Sequence, residues 1–163
     1  MSADDRDRPV RWLGVDLGDK RTGLAVGDVA SGLASPAGVI ERLGPDDLAA
    51  AVARAATEHD AGGVVVGLPL NMDGSEGPRA KLARAFGGRL TARGVAVVEL
   101  FDERLTSADA DWAMAGSGLT HKQKKARRDA LAAAALLRDF LAHERRADRP
   151  DAEQSTDQEV SQE

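Results

Sequence analysis

The 163-residue sequence contains no cysteine and no tyrosine, only three phenylalanines and two tryptophans, and three scattered histidines. Lack of cysteine excludes disulfides and thiolate-held metals. His59, His121 and His143 are too far apart in sequence to show the spacing of an imidazole site, so any metal must be held by oxygen. The shortage of aromatic residues argues against a surface that grips single strands by stacking their bases. Any nucleic-acid contact would have to run through the phosphate backbone instead. No apolar run approaches the roughly 20 residues that a bilayer-spanning helix needs, and Met1 to Arg8 is charged rather than apolar. A cytoplasmic protein with no membrane partner is therefore expected.

The formal net charge of −5 is unevenly spread. Residues 144–163 carry seven acids and three bases, residues 1–10 carry three acids and two bases, and residues 11–143 hold 17 of each sign. Both ends lack apolar periodicity and cannot bury enough surface to order themselves. The expected organisation is a flexible tail over residues 1–10, one domain over 11–144 and a disordered acidic tail over 145–163. The length suits a single α/β domain with a full core.

Two short apolar runs, Arg11 to Leu17 and Thr22 to Asp28, flank the turn Gly18-Asp19-Lys20-Arg21 and predict a hairpin. A third strand is expected around Ala37 to Glu41. Gly44-Pro45-Asp46-Asp47 opens a helix to about Glu58, and Gly63 to Leu68 reads as a strand covered on both faces. The loop Pro69 to Ser75 leads to a helix from Pro78 to about Arg93, with Leu82, Phe86 and Leu90 at helical spacing. Val95 to Phe101 predicts the fifth strand, Ser107 to Ala115 a short helix, and Gly116-Ser117-Gly118 a break. In the last helix Thr120 and Gln123 form a capping-box signature, and Ala132, Ala133, Leu136, Leu137 and Phe140 form the apolar stripe. The order βββαβαβαα predicts a five-stranded mixed sheet flanked by helices.

Three acids stand at unusual places in that scheme: Asp16 inside the first strand, Glu103 just past the fifth, and Asp129 on the apolar stripe of the last helix. A buried carboxylate needs a cation, a hydrogen-bond network or a raised pKa. With one strand between them, the first and fifth strands would lie roughly 10 Å apart, a gap that inward carboxylates can largely close. Hard oxygen ligands without histidine or cysteine suit Mg²⁺ or Mn²⁺, and a pair of such ions is the usual arrangement for in-line phosphodiester hydrolysis. Asp16, Glu103 and Asp129 are thus expected as metal ligands and catalytic groups. Each has a plainer reading: Lys20 or Arg21 could pair with Asp16, Arg104 could be the local partner of Asp102 and Glu103, and Asp129 could pair with a buried arginine.

Basic residues are the second signal. Lys122, Lys124, Lys125, Arg127 and Arg128 crowd the first turns of the last helix, where positive charge opposes the helix dipole unless a polyanion lies nearby. The loop Gly67 to Pro78 is long for a turn and lacks the Lys-Ser/Thr of a P-loop. Asn71, Asp73 and Ser75 in it are expected to combine loop structure with substrate positioning. The substrate-contacting set is expected to be Lys20, Arg21, Asn71, Asp73, Ser75, Arg104, Lys122, Lys124, Lys125 and Arg128.

Four motifs in order resemble the YqgF family, described as Holliday-junction-resolvase-like and as pre-16S ribosomal RNA nucleases. They are Gly14-Val15-Asp16-Leu17-Gly18 with Lys20-Arg21; Val66-Gly67-Leu68-Pro69-Leu70 with Asp73-Gly74-Ser75-Glu76; Asp102-Glu103-Arg104-Leu105-Thr106-Ser107; and Asp129 with Ala132-Ala133. The resemblance spans about residues 11–141. It implies a ribonuclease H-like fold and trimming of the 5′ end of pre-16S rRNA, with ribosomal precursor particles as partners. By motif position it gives Asp16, Glu103 and Asp129 the acidic-site roles, with Asp102 as a neighbour. Two further readings stand beside it: a nuclease of structured DNA such as Holliday junctions, and a non-catalytic rRNA-binding or transcription-associated factor. The first strand also resembles the phosphate hairpin of actin-like ATPases, but the length leaves no room for the second domain those need.

Overall fold

The computed structural model describes residues 7–106 and 120–149. The expected short helix at Ser107–Ala115, the break at Gly116-Ser117-Gly118, and the ends 1–6 and 150–163 lie outside the described residues. Five strands form one sheet in the order β3-β2-β1-β4-β5. β1 (Arg11–Leu17) and β2 (Arg21–Asp28) are an antiparallel hairpin, closed where the Gly18 N–H donates to the Arg21 carbonyl at 3.0 Å. β3 (Ala34–Glu41) continues antiparallel on the outer edge, while β4 (Gly63–Leu68) and β5 (Val97–Asp102) run parallel to β1 on the other side. One strand therefore separates β1 from β5, and the C-terminal ends of all three parallel strands share one edge of the sheet.

Alternation along the strands assigns each face its helices. Leu13, Val15, Leu24, Val64, Val66 and Leu68 pack with α1 (Pro45–Glu58) and α2 (Pro78–Ala92) in one core. Trp12, Ala25, Val65 and Phe101 pack on the opposite face with Ala133, Leu137 and Phe140 of α3 (His121–Ala147). Phe140 meets Trp12 edge-on at 4.8 Å and Phe101 at 5.7 Å, contacts worth about 0.5–1.5 kcal/mol each beyond burial. The aromatic cluster clamps the second half of α3 against the sheet.

Most expected elements are present, with instructive shifts. β3 begins three residues earlier than expected, at Ala34, with Pro36 and the positive-φ Gly38 inside it. Such residues are tolerated there because β3 is an edge strand. The fifth strand starts at Val97 rather than Val95, because the Val95 N–H instead closes the end of α2 on the Leu90 carbonyl at 3.2 Å. Leu82 is 67% exposed and not on the buried stripe of α2, which consists of Ala80, Ala83, Phe86, Gly87 and Leu90. The helix approaches the sheet on its small residues, and that turns Leu82 outward.

The ends of the domain are also tied in further than their composition suggests. The Pro9 carbonyl accepts from the Trp12 indole at 2.9 Å, Arg8 pairs with Glu144 at 2.6 Å, and α3 runs on to Ala147. Gly88 lies in the exposed interior of α2 with nothing within 4 Å of an added Cβ. Gly88→Ala is therefore expected to stabilise the fold by about 0.5–1 kcal/mol, read as a higher midpoint in chemical denaturation.

Candidate active site

The same alternation brings the acids together. Trp12, Gly14 and Asp16 of β1, Val65 and Gly67 of β4, and Phe101 of β5 point to the α3 face. Glu103, two residues past Phe101 in the 3₁₀ turn Glu103–Leu105, keeps that direction. Registers of Val15 with Val66 and of Gly67 with Phe101 put Asp16 level with Gly67, so the strand between the two acids carries no side chain where they meet. A Cβ on Gly67 would stand 2.5 Å from Glu103 Oε1. The glycine is the space in which the carboxyls of Asp16 and Glu103 meet and hydrogen-bond.

Both carboxyls are pushed above the ordinary carboxylate range. For Asp16 burial is the largest cause and the negative charge of Asp129 the next; Arg79 and the hydrogen bond with Glu103 oppose them. For Glu103 burial again leads, followed by the charge of Asp16. The shared hydrogen bond and Asp102 add to the rise while Arg79 opposes it. The two carboxyls share one crowded space and are both raised, so the pair titrates as a unit.

Asp129 arrives from the helix above. Gly23 is the cross-strand partner of Asp16, and a Cβ on it would collide with the Asp129 carbonyl. The helix backbone therefore rests directly on β2 at this point, with a second close approach of Leu137 and Ala133 over Gly14. The carboxylate of Asp129 is held by Arg21, whose Nε donates to Oδ2 at 2.7 Å. Among the described residues, no three carboxylate or imidazole side chains gather tightly enough to hold a metal ion. The expected three-acid cluster is a pair, Asp16 and Glu103, with its third member engaged by an arginine. Of the readings open from sequence, Asp129 has an arginine partner, which is half-buried rather than buried, and Arg21 serves Asp129 rather than Asp16.

Asp102 differs from its neighbour. It caps the 3₁₀ turn and receives several hydrogen bonds from Arg104, which hold its carboxyl below the usual range. Arg104 also donates to the Met72 carbonyl at 3.4 Å, so this expected substrate contact spans from the end of β5 to the loop after β4. Within that loop the Asn71 amide donates to Ser75 Oγ at 3.0 Å, and the Ser75 N–H and hydroxyl both donate to Asp73, at 2.9 and 2.5 Å. Asn71, Asp73 and Ser75 are thereby partnered with one another, and their observed work is to shape the loop. Lys20 is exposed in the hairpin turn.

Arg79 was not among the expected site residues. It sits in the first turn of α2, pairs with Asp19 of the hairpin turn at 3.5 Å, and exerts its charge on both Asp16 and Glu103. The local sequence signal was faint, an arginine after the helix-opening Gly77-Pro78.

α3 crosses the sheet antiparallel to β1, with Asp129 over Gly23, Leu137 over Gly14 and Leu141 over Gly27. Residues 121–128 therefore overhang the edge where the acids lie, by about 12 Å at 1.5 Å per residue. The Thr120 and Gln123 capping box fixes the start of the overhang. Lys122, Lys125, Arg127 and Arg128 on it are exposed and Lys124 half-exposed, so a basic arm stands beside the acidic pair.

The profile of the family described as RuvX, Holliday junction resolvase, matches residues 10–143. A protein of Anaeromyxobacter dehalogenans (strain 2CP-1), named "Putative pre-16S rRNA nuclease", is 46% identical over 133 residues, covering 81% of this chain and 96% of its own. A protein of the same name from Thiobacillus denitrificans is 43% identical over 129 residues, covering 79% and 89%. Among solved structures, RuvC from T. thermophilus in complex with a Holliday junction substrate matches with a TM-score of 0.56 at 14% identity, covering 85% of this chain and 96% of that one. That likeness establishes the ribonuclease H-like fold.

Proposed function

The chain belongs to the RuvX family of Holliday junction resolvases, and on that premise we propose that it is a nuclease that hydrolyses RNA phosphodiester bonds at the 5′ end of pre-16S rRNA. The observation that carries this reading is the Asp16–Glu103 pair, half-buried on the edge where the parallel strands end and flanked by the basic arm of α3. The substrate is taken from the names of relatives that match this chain over most of its length.

The donor set fits a divalent cation. Two hard carboxyls in mutual contact, both pushed up by burial and by neighbouring negative charge, are relieved by a cation. Asp16 and Glu103, joined by Asp129, would hold one or two Mg²⁺ or Mn²⁺ ions. Such an ion, when bound, supplies an activated water and neutralises charge developing on the phosphate. The other roles belong to the chain: Gly67 leaves room for the acids, Arg104 holds the loop Pro69 to Ser75 beside them, and Arg79 offers a cation to the scissile phosphate.

The test is cleavage of a pre-16S 5′ leader RNA and of a four-way DNA junction under the same conditions. Divalent-dependent cleavage of the RNA is expected; cutting of the junction alone would make structured DNA the substrate. Binding should depend on the arm. Changing Lys122, Lys124 and Lys125 to Gln is expected to weaken RNA binding whatever the sequence. It should also flatten the dependence of log K on log salt by about 0.7 per lost single-strand phosphate contact. An unchanged slope would return these lysines to an ordinary solvated face.

A further inference from the structure

We infer that Arg21 is a positioning residue that competes with a divalent cation for Asp129 and, once displaced from it, turns to substrate phosphate. The inference rests on the metal-dependent reading above and goes beyond it. Among the described residues, Asp129 is the one of the three acids in direct ion-pair contact with a guanidinium, at 2.7 Å between Arg21 Nε and Oδ2. The nearest ion pair of Arg79 is with Asp19 instead. The Arg21 and Asp129 side chains are 16% and 31% exposed, so solvent screens their attraction far less than that of a surface pair.

Position makes the contact consequential. Arg21 is the first residue of β2, on the edge where the acids lie, and Asp129 is laid over Gly23, beside Asp16. While the guanidinium neutralises Asp129, the third carboxylate is withheld from the Asp16–Glu103 pair, and among the described residues no three such groups are assembled. A divalent ion drawing on Asp129 must compete with the arginine. Arg21, once displaced, stands at the mouth of the site beside the basic overhang, where its planar fork suits a phosphate. Cation and nucleic acid would then each favour the binding of the other, because both are bound by the form in which Arg21 has left Asp129.

The opposite role is equally concrete: Arg21 could orient Asp129 for the metal, and its loss would then weaken metal binding. Calorimetric titration of the full chain with Mn²⁺, in the absence of nucleic acid, separates the two. Arg21→Gln is expected to bind Mn²⁺ roughly 3–10-fold more tightly than wild type, within the range of coupling across a hydrogen-bonded ion pair. The gain should vanish when Asp129→Asn is already present. Arg21→Lys, which keeps the charge without the fork, is expected to fall between wild type and Arg21→Gln, and it serves if the glutamine variant does not fold. Equal or weaker affinity in both variants overturns the competition, as does a gain that persists with Asp129→Asn. If neither wild type nor Arg21→Gln binds Mn²⁺ better than Asp16→Asn does, the metal-dependent reading fails and the competition with it.

Discussion

Asp16→Asn is expected to lower turnover on the RNA leader at least about a hundredfold while making the metal-free protein more stable at neutral pH. The two effects have one cause. Asp16 is half-buried beside Glu103 and within reach of the charge of Asp129, an arrangement that favours a bound cation and disfavours the fold without one. Removing a group that stabilises charge in the transition state costs about 10²–10³ in rate, with less effect on binding. Removing a repelling charge from the empty site relieves the fold.

The pH dependence of that gain follows in sign. Asp16 and Glu103 both have folded-state pKa values raised above their ordinary ones, so the folded protein binds more protons than the unfolded chain in the window between. Stability of the metal-free wild type therefore falls as pH rises through that window. Below about pH 3 both states are protonated and the advantage of Asp16→Asn should disappear. At neutral pH it should be largest, at about 2–4 °C of melting temperature per kcal/mol relieved. Mg²⁺ should then raise the wild type past the variant. Thermal melts across pH with and without Mg²⁺, set beside cleavage assays, check all of this. If Asp16→Asn cuts as fast as wild type, or gains as much from Mg²⁺, the acidic site is not the catalytic centre.

What could be read in the sequence divides along a physical line. β1 and β4 were legible to the residue, because continuous apolar runs bounded by glycine and charge admit little else. The convergence of Asp16, Glu103 and Asp129 on one edge followed from strand parity and from the helical spacing of Asp129 to Ala133 and Leu137. Features set by tertiary geometry were less open. Nothing local decides whether Arg21 serves Asp16, five residues away, or Asp129, 108 residues away. Arg79 enters the site because α2 starts above that edge, which becomes visible only with the sheet order in hand. Gly23 and Gly67 look alike in sequence, yet one is the seat of a helix backbone and the other a space between two carboxyls.

Gly23→Ala is accordingly expected to be the most damaging small substitution in the fold. The added methyl would collide with the Asp129 carbonyl, with its carbonyl carbon close behind and the Ala130 nitrogen 3.2 Å away. These are backbone atoms of a helix, and no rotamer change can move them aside. α3 must lift from β2, yet Phe140 is clamped between Trp12 and Phe101 further along, so the helix can only tilt or surrender that packing. Overpacking against atoms that cannot yield costs about 3 kcal/mol or more, or roughly 6–12 °C in melting temperature. Activity should fall beyond what lost folding explains, because lifting α3 draws Asp129 away from Asp16 and Arg21. The control is Gly88→Ala, the same chemical change at an open helical position, which is expected to stabilise. Denaturant midpoints for the two variants, with Mn²⁺ affinity measured where each is still folded, decide the matter. If Gly23→Ala matches wild type in both, the close seating of α3 on β2 does not position the third acid.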